Sequence, residues 1–510
     1  MKLREVRSLS RGALVACGIL CCQIAAADVR LPAIISDHMV VQRQMAAPIW
    51  GWADAGEEVT VALAGQSKST TADADGRWMV KLDPMDAGGP HTLEVRGKNA
   101  LTVSDVLVGE VWLGSGQSNM AMMVRNAADA EKEMAAAELP QMRQFKVEGN
   151  PQDKPQDDLR GAWAVCSPET VGTFSATAFF FGRELHKELG VPVGLINSSV
   201  GGTPIESWID ADTQRNSAAL KPFFDAQSNQ NAEFDEAAAK AQYEKQLEGW
   251  KKAVAEAKAQ GKERPRQPRD PIATKARKGN VGGLFNGMIA PLIPYGIRGA
   301  IWYQGEANST PEKAPFYQYQ LPLLVRDWRA RWGQGDFPFA WVQLPNYEGA
   351  GRDWPTVREG MLKALATPNT GMAIAIDVGE PKDIHPKNKQ AVGKRLALWA
   401  LGADYGKDVA TSGPLYEGHE VSGGALAIRF KHAGGGLQAK DGELRGFEVT
   451  GADGVWQPAE ARIEGSTVVV TSKDVPQPLV ARYGWSNNPD CNLYNAAGLP
   501  ASPFRTADRN

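Results

Sequence analysis

Five compact apolar runs constrain this chain more than anything else in it. They are "VLVGEVWL" (106–113), "VGLINSS" (193–199), "IRGAIWY" (297–303), "FAWVQL" (339–344) and "MAIAIDV" (372–378). Each is strand-length, rich in branched residues and too uniformly apolar to be half-exposed, which is the pattern of strands buried on both faces of a parallel sheet. Between them lie helical patterns: "TFSATAFFFGRELHKEL", "FYQYQLPLLVRDWRARW" (interrupted by Pro322), "TVREGMLKALA" and "KNKQAVGKRLALWALGA". Strands alternating with helices predict a doubly wound α/β domain, in which ligands bind at the carboxyl ends of the strands.

With 510 residues, the chain exceeds one ordinary core. Residues 28–104 hold short alternating runs ("APIWGWA", "EEVTVALAG", "GRWMVKL", "HTLEVRG") separated by Gly, Asp and Pro, and read as a β-module. Residues 409–510 have the same texture ("ALAIRF", "LRGFEVT", "STVVVTS", "LVARYGW"). The α/β domain is assigned to 105–408, with a helical insertion at about 213–270 that includes the Ala/Glu/Lys-rich stretch 230–264. Residues 1–27 read as a cleavable export signal: Lys2, Arg4, Arg7 and Arg11, then a short apolar stretch, then Ala25 and Ala27 ahead of a mature start at Asp28. The apolar part is too short to span about 30 Å of hydrocarbon. Secretion or a periplasmic location is therefore expected, with no membrane insertion after the signal is removed.

Loss of that segment shifts the formal net charge from −3 to −6. A mildly acidic surface argues against nucleic acid as a partner. Of five cysteines, only Cys166 and Cys491 remain, either to pair or to serve as small buried apolar residues. Two cysteines without "CxxC" or "HExxH" give no zinc or other metal site.

Four of the buried runs are followed directly by polar residues: "GSGQSNM" (114–120), "NSSVGGTPIESW" (197–208), "QGEANST" (304–310) and "DVGEPKDIHP" (377–386). In a parallel sheet these loops meet at one edge. Ser118 is a candidate nucleophile there, although position 120 is Met and the elbow G-x-S-x-G is absent. Such a serine needs a base. Of six histidines, His38, His91, His419 and His432 fall in or beside the β-modules and His186 within a helix, which leaves His385, with Asp383 two residues before it. Gly201 and Gly202 can bring backbone N–H groups close, and Gln304 offers a side-chain amide, so an oxyanion could be held among them.

Together, "GQSNM", "NSSVGGTPIESW", "FNGMIAPLIPYGIRGAIWYQGEAN" and "DIHPKNK" resemble the motifs of the sialate O-acetylesterase family, part of the larger SGNH hydrolase group. The resemblance covers nearly the whole mature chain. It implies a flavodoxin-like α/β/α fold flanked by β-rich, sandwich-like modules. It also implies ester hydrolysis without a cofactor: Ser118 as nucleophile, His385 as base, Asp383 beside it. The oxyanion hole would comprise the Ser118 N–H, Gly201 or Gly202, and Gln304, with Asn119 and Glu306 in support. The implied substrate is an acetylated sugar or polysaccharide, either 9-O-acetyl sialic acid or a hemicellulose such as xylan or xyloglucan. Gln117, Trp208 and Tyr303 are the candidate substrate contacts. One departure matters: the general SGNH pattern has Asp three residues before His, and here the spacing is two. The competing expectations are a carbohydrate-binding protein with a dead centre, and a lipase or phospholipase on the same fold. The oligomeric state is not legible.

Overall fold

The computed structural model of the chain describes residues 28–507, except 233–234, 266, 269 and 273–279. The predicted export signal lies outside the described residues.

The five apolar runs form five consecutive strands of one sheet. Its strands are β1 (Ala100–Gly116), β2 (Leu139–Val147), β3 (Gly161–Cys166), β4 (Val193–Ser199), β5 (Gly299–Tyr303), β6 (Phe339–Gln343) and β7 (Thr370–Ile374). They lie in the order β7-β6-β5-β1-β4-β2-β3. All neighbours are parallel except β2 and β3. Alternate residues face opposite layers, as the period of two requires. Trp112, Leu195, Ile301 and Val342 join Phe179, Leu185, Leu396 and Trp399 in one core. Leu113, Ile196, Trp302 and Trp341 join Leu324, Trp328, Val357 and Met361 in the other. The helices concerned are α1 (Ala176–Leu189), α2 (Tyr317–Trp332), α3 (Trp354–Ala364) and α4 (Lys389–Ala403), with α1 and α4 on one face and α2 and α3 on the other.

Local signals set the helix ends. Ser175 caps α1 by accepting from the Ala178 N–H, and Gly190 ends it with a left-handed φ of 65°. Helix α2 continues through Pro322, with Leu321, Leu324, Val325 and Trp328 all buried on its core side. The Ala/Glu/Lys-rich stretch forms the helix Glu236–Ala259, none of whose residues is buried. Its composition is that of a solvated helix.

The flanking β-rich regions attach differently. Strand β1 is 17 residues long, and its first half pairs with the N-terminal strands Val40–Gln42 and Gly88–Arg96. One strand thus carries the chain from the N-terminal β-region into the central sheet. The C-terminal region has a four-stranded sheet built on Ala425–Lys431 and Thr467–Thr471, and another built on Phe447–Thr450 and Val480–Tyr483. The two share one apolar core. Cys166 and Cys491 are free thiols, Cys166 buried, so the pairing alternative is not realised. Burial pushes the Cys166 thiol up to about 12, so it behaves as a small apolar residue.

Candidate active site

Register brings three of the polar loops to one level. Gly116 is opposite both Ser199 of β4 and Tyr303 of β5, so these strands end together. Gly116 itself has a φ of 134°, and a Cβ there would stand 2.2 Å from the Tyr303 carbonyl. Only glycine permits that approach. The Gln117 N–H then donates to Tyr303 O (3.0 Å), and the chain turns into the short helix Ser118–Ala121.

Ser118 is half-buried, and its Oγ lies 2.8 Å from Nε2 of His385, which arrives on the loop beyond β7. This is hydrogen-bond distance for a hydroxyl and a base. Asp383 Oδ1 accepts the His385 backbone N–H at 2.9 Å and lies 3.6 Å from Nδ1 of the imidazole. The spacing of two therefore makes the aspartate a loop acceptor first, and an electrostatic neighbour of the ring second. Gly201 sits directly against the serine: a Cβ on it would be 3.3 Å from Ser118 Cβ. Gly202 supplies the left-handed turn, with a φ of 72°.

The other sequence-selected residues lie beneath this surface. Gln304 is fully buried, and its Nε2 donates to Asn308 Oδ1 (2.7 Å), Gln117 Oε1 (3.2 Å) and Thr203 O (3.2 Å). Its Oε1 accepts from Tyr317 Oη at 2.9 Å. Both amide hydrogens thus have acceptors inside the protein, and Gln304 ties three loops together. Gln117 is buried in the same network and also accepts from the Ala307 N–H. Trp208 and Tyr303 are fully enclosed, Trp208 against Trp302 and Thr203, so neither presents a ring face to a sugar.

Asn119 and Glu306 meet: Asn119 Nδ2 donates to Glu306 Oε1 at 2.6 Å and to Ile384 O at 3.0 Å. Burial raises the Glu306 carboxyl above its ordinary range, opposed by the Asn119 hydrogen bond and by the charge of Lys389. Lys389, the first residue of α4, is absent from the sequence-selected set. It is fully buried, donates to Asn119 Oδ1 at 2.7 Å, and is pulled by burial down to about 7. "DIHPKNK" contains it, but a lysine opening a helix reads as a surface charge, and nothing local announces its burial. Asn308 and Glu206 are likewise buried partners, joined at 2.8 Å, with Lys313 closing on Glu206 at 2.8 Å. Among the described residues there is no cluster able to hold a metal ion, and no helix long and apolar enough to cross a membrane.

A parallel-centred α/β sheet with a serine and a histidine in contact over its carboxyl edge is an arrangement that suits acyl transfer. The comparisons agree. The profile of the carbohydrate esterases described as sialic acid-specific acetylesterases matches residues 108–257 and 284–401. Sialate O-acetylesterase of Rattus norvegicus is 31% identical, covering 93% of this chain and 94% of its own length. The Homo sapiens enzyme of that name is also 31% identical, over 93% of this chain and 92% of its own. The crystal structure of a carbohydrate acetylesterase from Xanthomonas citri is 37% identical, with a TM-score of 0.80, over 94% of this chain and 99% of that one. This chain belongs to the sialic acid-specific acetylesterase family, and it is a carbohydrate esterase.

Proposed function

We propose that the protein is an exported serine esterase that removes O-acetyl groups from sugars, with Ser118 as nucleophile and His385 as base on an SGNH-type domain. The 2.8 Å contact between Ser118 Oγ and His385 Nε2 carries this reading. His385 accepts the hydroxyl proton as Ser118 attacks the acetyl carbonyl, then returns it to the departing sugar oxygen. Water, deprotonated by the same imidazole, releases acetate from the acyl-enzyme. The developing oxyanion is assigned to the backbone N–H groups of Ser118 and Gly201, with Gln304 holding their loops rather than donating itself. Asp383 stabilises the imidazolium electrostatically. The two β-rich regions, 28–104 and 409–510, frame the catalytic domain.

The substrate assignment follows the relatives' names, an O-acetylated sialic acid. Acetylated xylan or xyloglucan is the competing substrate. Acetate release from a panel of both, by wild type and Ser118→Ala, tests the whole reading. Ser118→Ala should lower kcat by about 10⁴-fold or more while staying folded. Near-normal turnover by that variant contradicts the nucleophile, and preference for the plant polymers reassigns the substrate.

A further inference from the structure

The peptide carbonyls on either side of His385 are both held by buried donors. Asn119 Nδ2 takes Ile384 O at 3.0 Å, and Lys389 Nζ takes Pro386 O at 2.5 Å. The two donors are themselves joined, Lys389 Nζ to Asn119 Oδ1 at 2.7 Å. Asn119 directly follows Ser118, and its own carbonyl accepts from Thr177 Oγ1 at 3.1 Å. The result is a closed ring of contacts running from the serine, through Asn119 and Lys389, to both flanks of the histidine.

We propose that Lys389 is a positioning residue for the esterase reaction, gripping the His385 loop together with Asn119 so that the imidazole stays aligned on Ser118. The inference rests on Ser118 and His385 being the reacting pair.

Three physical points favour positioning over packing. First, Lys389 occupies a poor site for an ammonium, fully buried and at the first position of α4, where the helix dipole disfavours a cation. An apolar side chain of similar volume would fill the space at lower cost in desolvation. Second, the buried carboxylate whose charge acts most on Lys389, Glu306, bonds to Asn119, and no direct ion pair of Lys389 among the described residues explains the lysine. The Lys389 ammonium also stands 5.3 Å over the Tyr303 ring, a further fixed contact. Third, the His385 side chain is 39% exposed, so where the ring stands depends on where its backbone is held. Holding the peptide on both sides fixes the backbone from which the imidazole projects, and a nucleophile–base pair is sensitive to displacements of about 1 Å.

The test is Lys389→Met, which keeps the volume and removes the donors. Its kcat should fall by about 10²-fold, with KM held within about threefold. Phosphonylation of Ser118 by a small fluorophosphonate needs the same pair but no sugar contacts, and should slow by the same factor. A lysine that only stabilises the fold would lower the melting temperature and leave phosphonylation per folded molecule unchanged. That outcome overturns the proposal. Should Lys389→Met not fold, Asn119→Ala releases Ile384 O while leaving Lys389 on Pro386 O. It should show the same selective loss of kcat, and an unaltered labelling rate is equally fatal. An active Ser118→Ala would remove the underlying pair. An inactive Ser118→Ala beside a fully active Lys389→Met would remove only the role of the lysine.

Discussion

At the scale of single residues, the meeting of Ser118 with His385 was legible through the histidine, because serines are common in the edge loops and histidines are scarce. Six histidines and one sheet edge leave little choice once a base is required. Asp383 was legible as a neighbour but not as a partner, since two residues of spacing do not say whether a carboxylate meets the ring or the backbone. Its Oδ1 meets the backbone N–H at 2.9 Å and stands 3.6 Å from Nδ1, with 46% of the side chain exposed. At that exposure, solvent screens most of its effect on an imidazolium. Asp383→Asn keeps the loop acceptor and removes the charge, so kcat/KM should fall by about tenfold. That is far short of the ~10⁴-fold supplied by a buried triad acid bonded to the ring. Steady-state kinetics on an acetyl ester decide it, and a 10⁴-fold loss would make Asp383 a full triad member. Gln304 shows the opposite limit. An amide after a buried strand looks like an exposed donor in sequence, but its commitments are to Asn308 of its own loop and to Gln117 and Thr203 of two other segments.

Among the elements, five strands and the four helices of the central domain were legible, because burial on both faces leaves an uninterrupted apolar run, whereas β2 and β3, only partly buried, left no such run and were not read. The start of α4 was not, since helix signals there describe only the cap: Asn388 accepts from the Ala391 N–H, as a cap should. The burial of Lys389 comes from the loops of Ser118 and His385 closing over it, through Asn119 and Pro386. This has a consequence for stability. The ordinary lysine value is 10.5, and burial brings Lys389 down to about 7 in the folded protein. Between those two values the unfolded chain binds the proton that the folded chain has released, so stability rises with pH through that window. Below about 7 both states carry the proton, and the folded state bears the full penalty of a buried cation. Raising the pH from 7 to 9 should therefore stabilise wild type more than Lys389→Met. Urea unfolding of both proteins at the two pH values measures the difference, and equal shifts would show that Lys389 keeps its ordinary affinity for the proton.

Across the whole molecule, the β-rich texture of the C-terminal region was plain in its short alternating runs, but its attachment was not. Long-range hydrogen bonds to backbone carbonyls leave no pattern in sequence. Arg358 of α3 is one point of that attachment, beside the Arg505–Glu359 and Gln343–Ser502 contacts. It is fully buried, and its guanidinium donates to Leu344 O (2.9 Å) and Pro345 O (2.6 Å) beyond β6. It also donates to Ser486 O (2.7 Å) and Asn487 O (2.9 Å) of the C-terminal region. Burial brings even this guanidinium down to about 9, and four carbonyls hold it without a carboxylate. Asn487 returns the contact through Nδ2 to Gly349 O and Arg352 O, both at 3.1 Å, and Arg352 in turn reaches Glu306 O at 3.3 Å. The C-terminal region is thereby linked, through the 344–353 loop, to the loop that carries Glu306 beside Asn119. Arg358→Leu would strip donors from four carbonyls, two of them on the buried residues Leu344 and Pro345, and each buried unsatisfied group costs about 1–3 kcal/mol, so a loss of a few kcal/mol follows. Because the carbonyls lie on both sides of the junction, the C-terminal region and the 344–353 loop should loosen together, and kcat should fall along with the unfolding midpoint. Urea titration with parallel esterase assays checks both. A lowered midpoint with full activity below the transition would show that the C-terminal region steadies the fold without steadying the site.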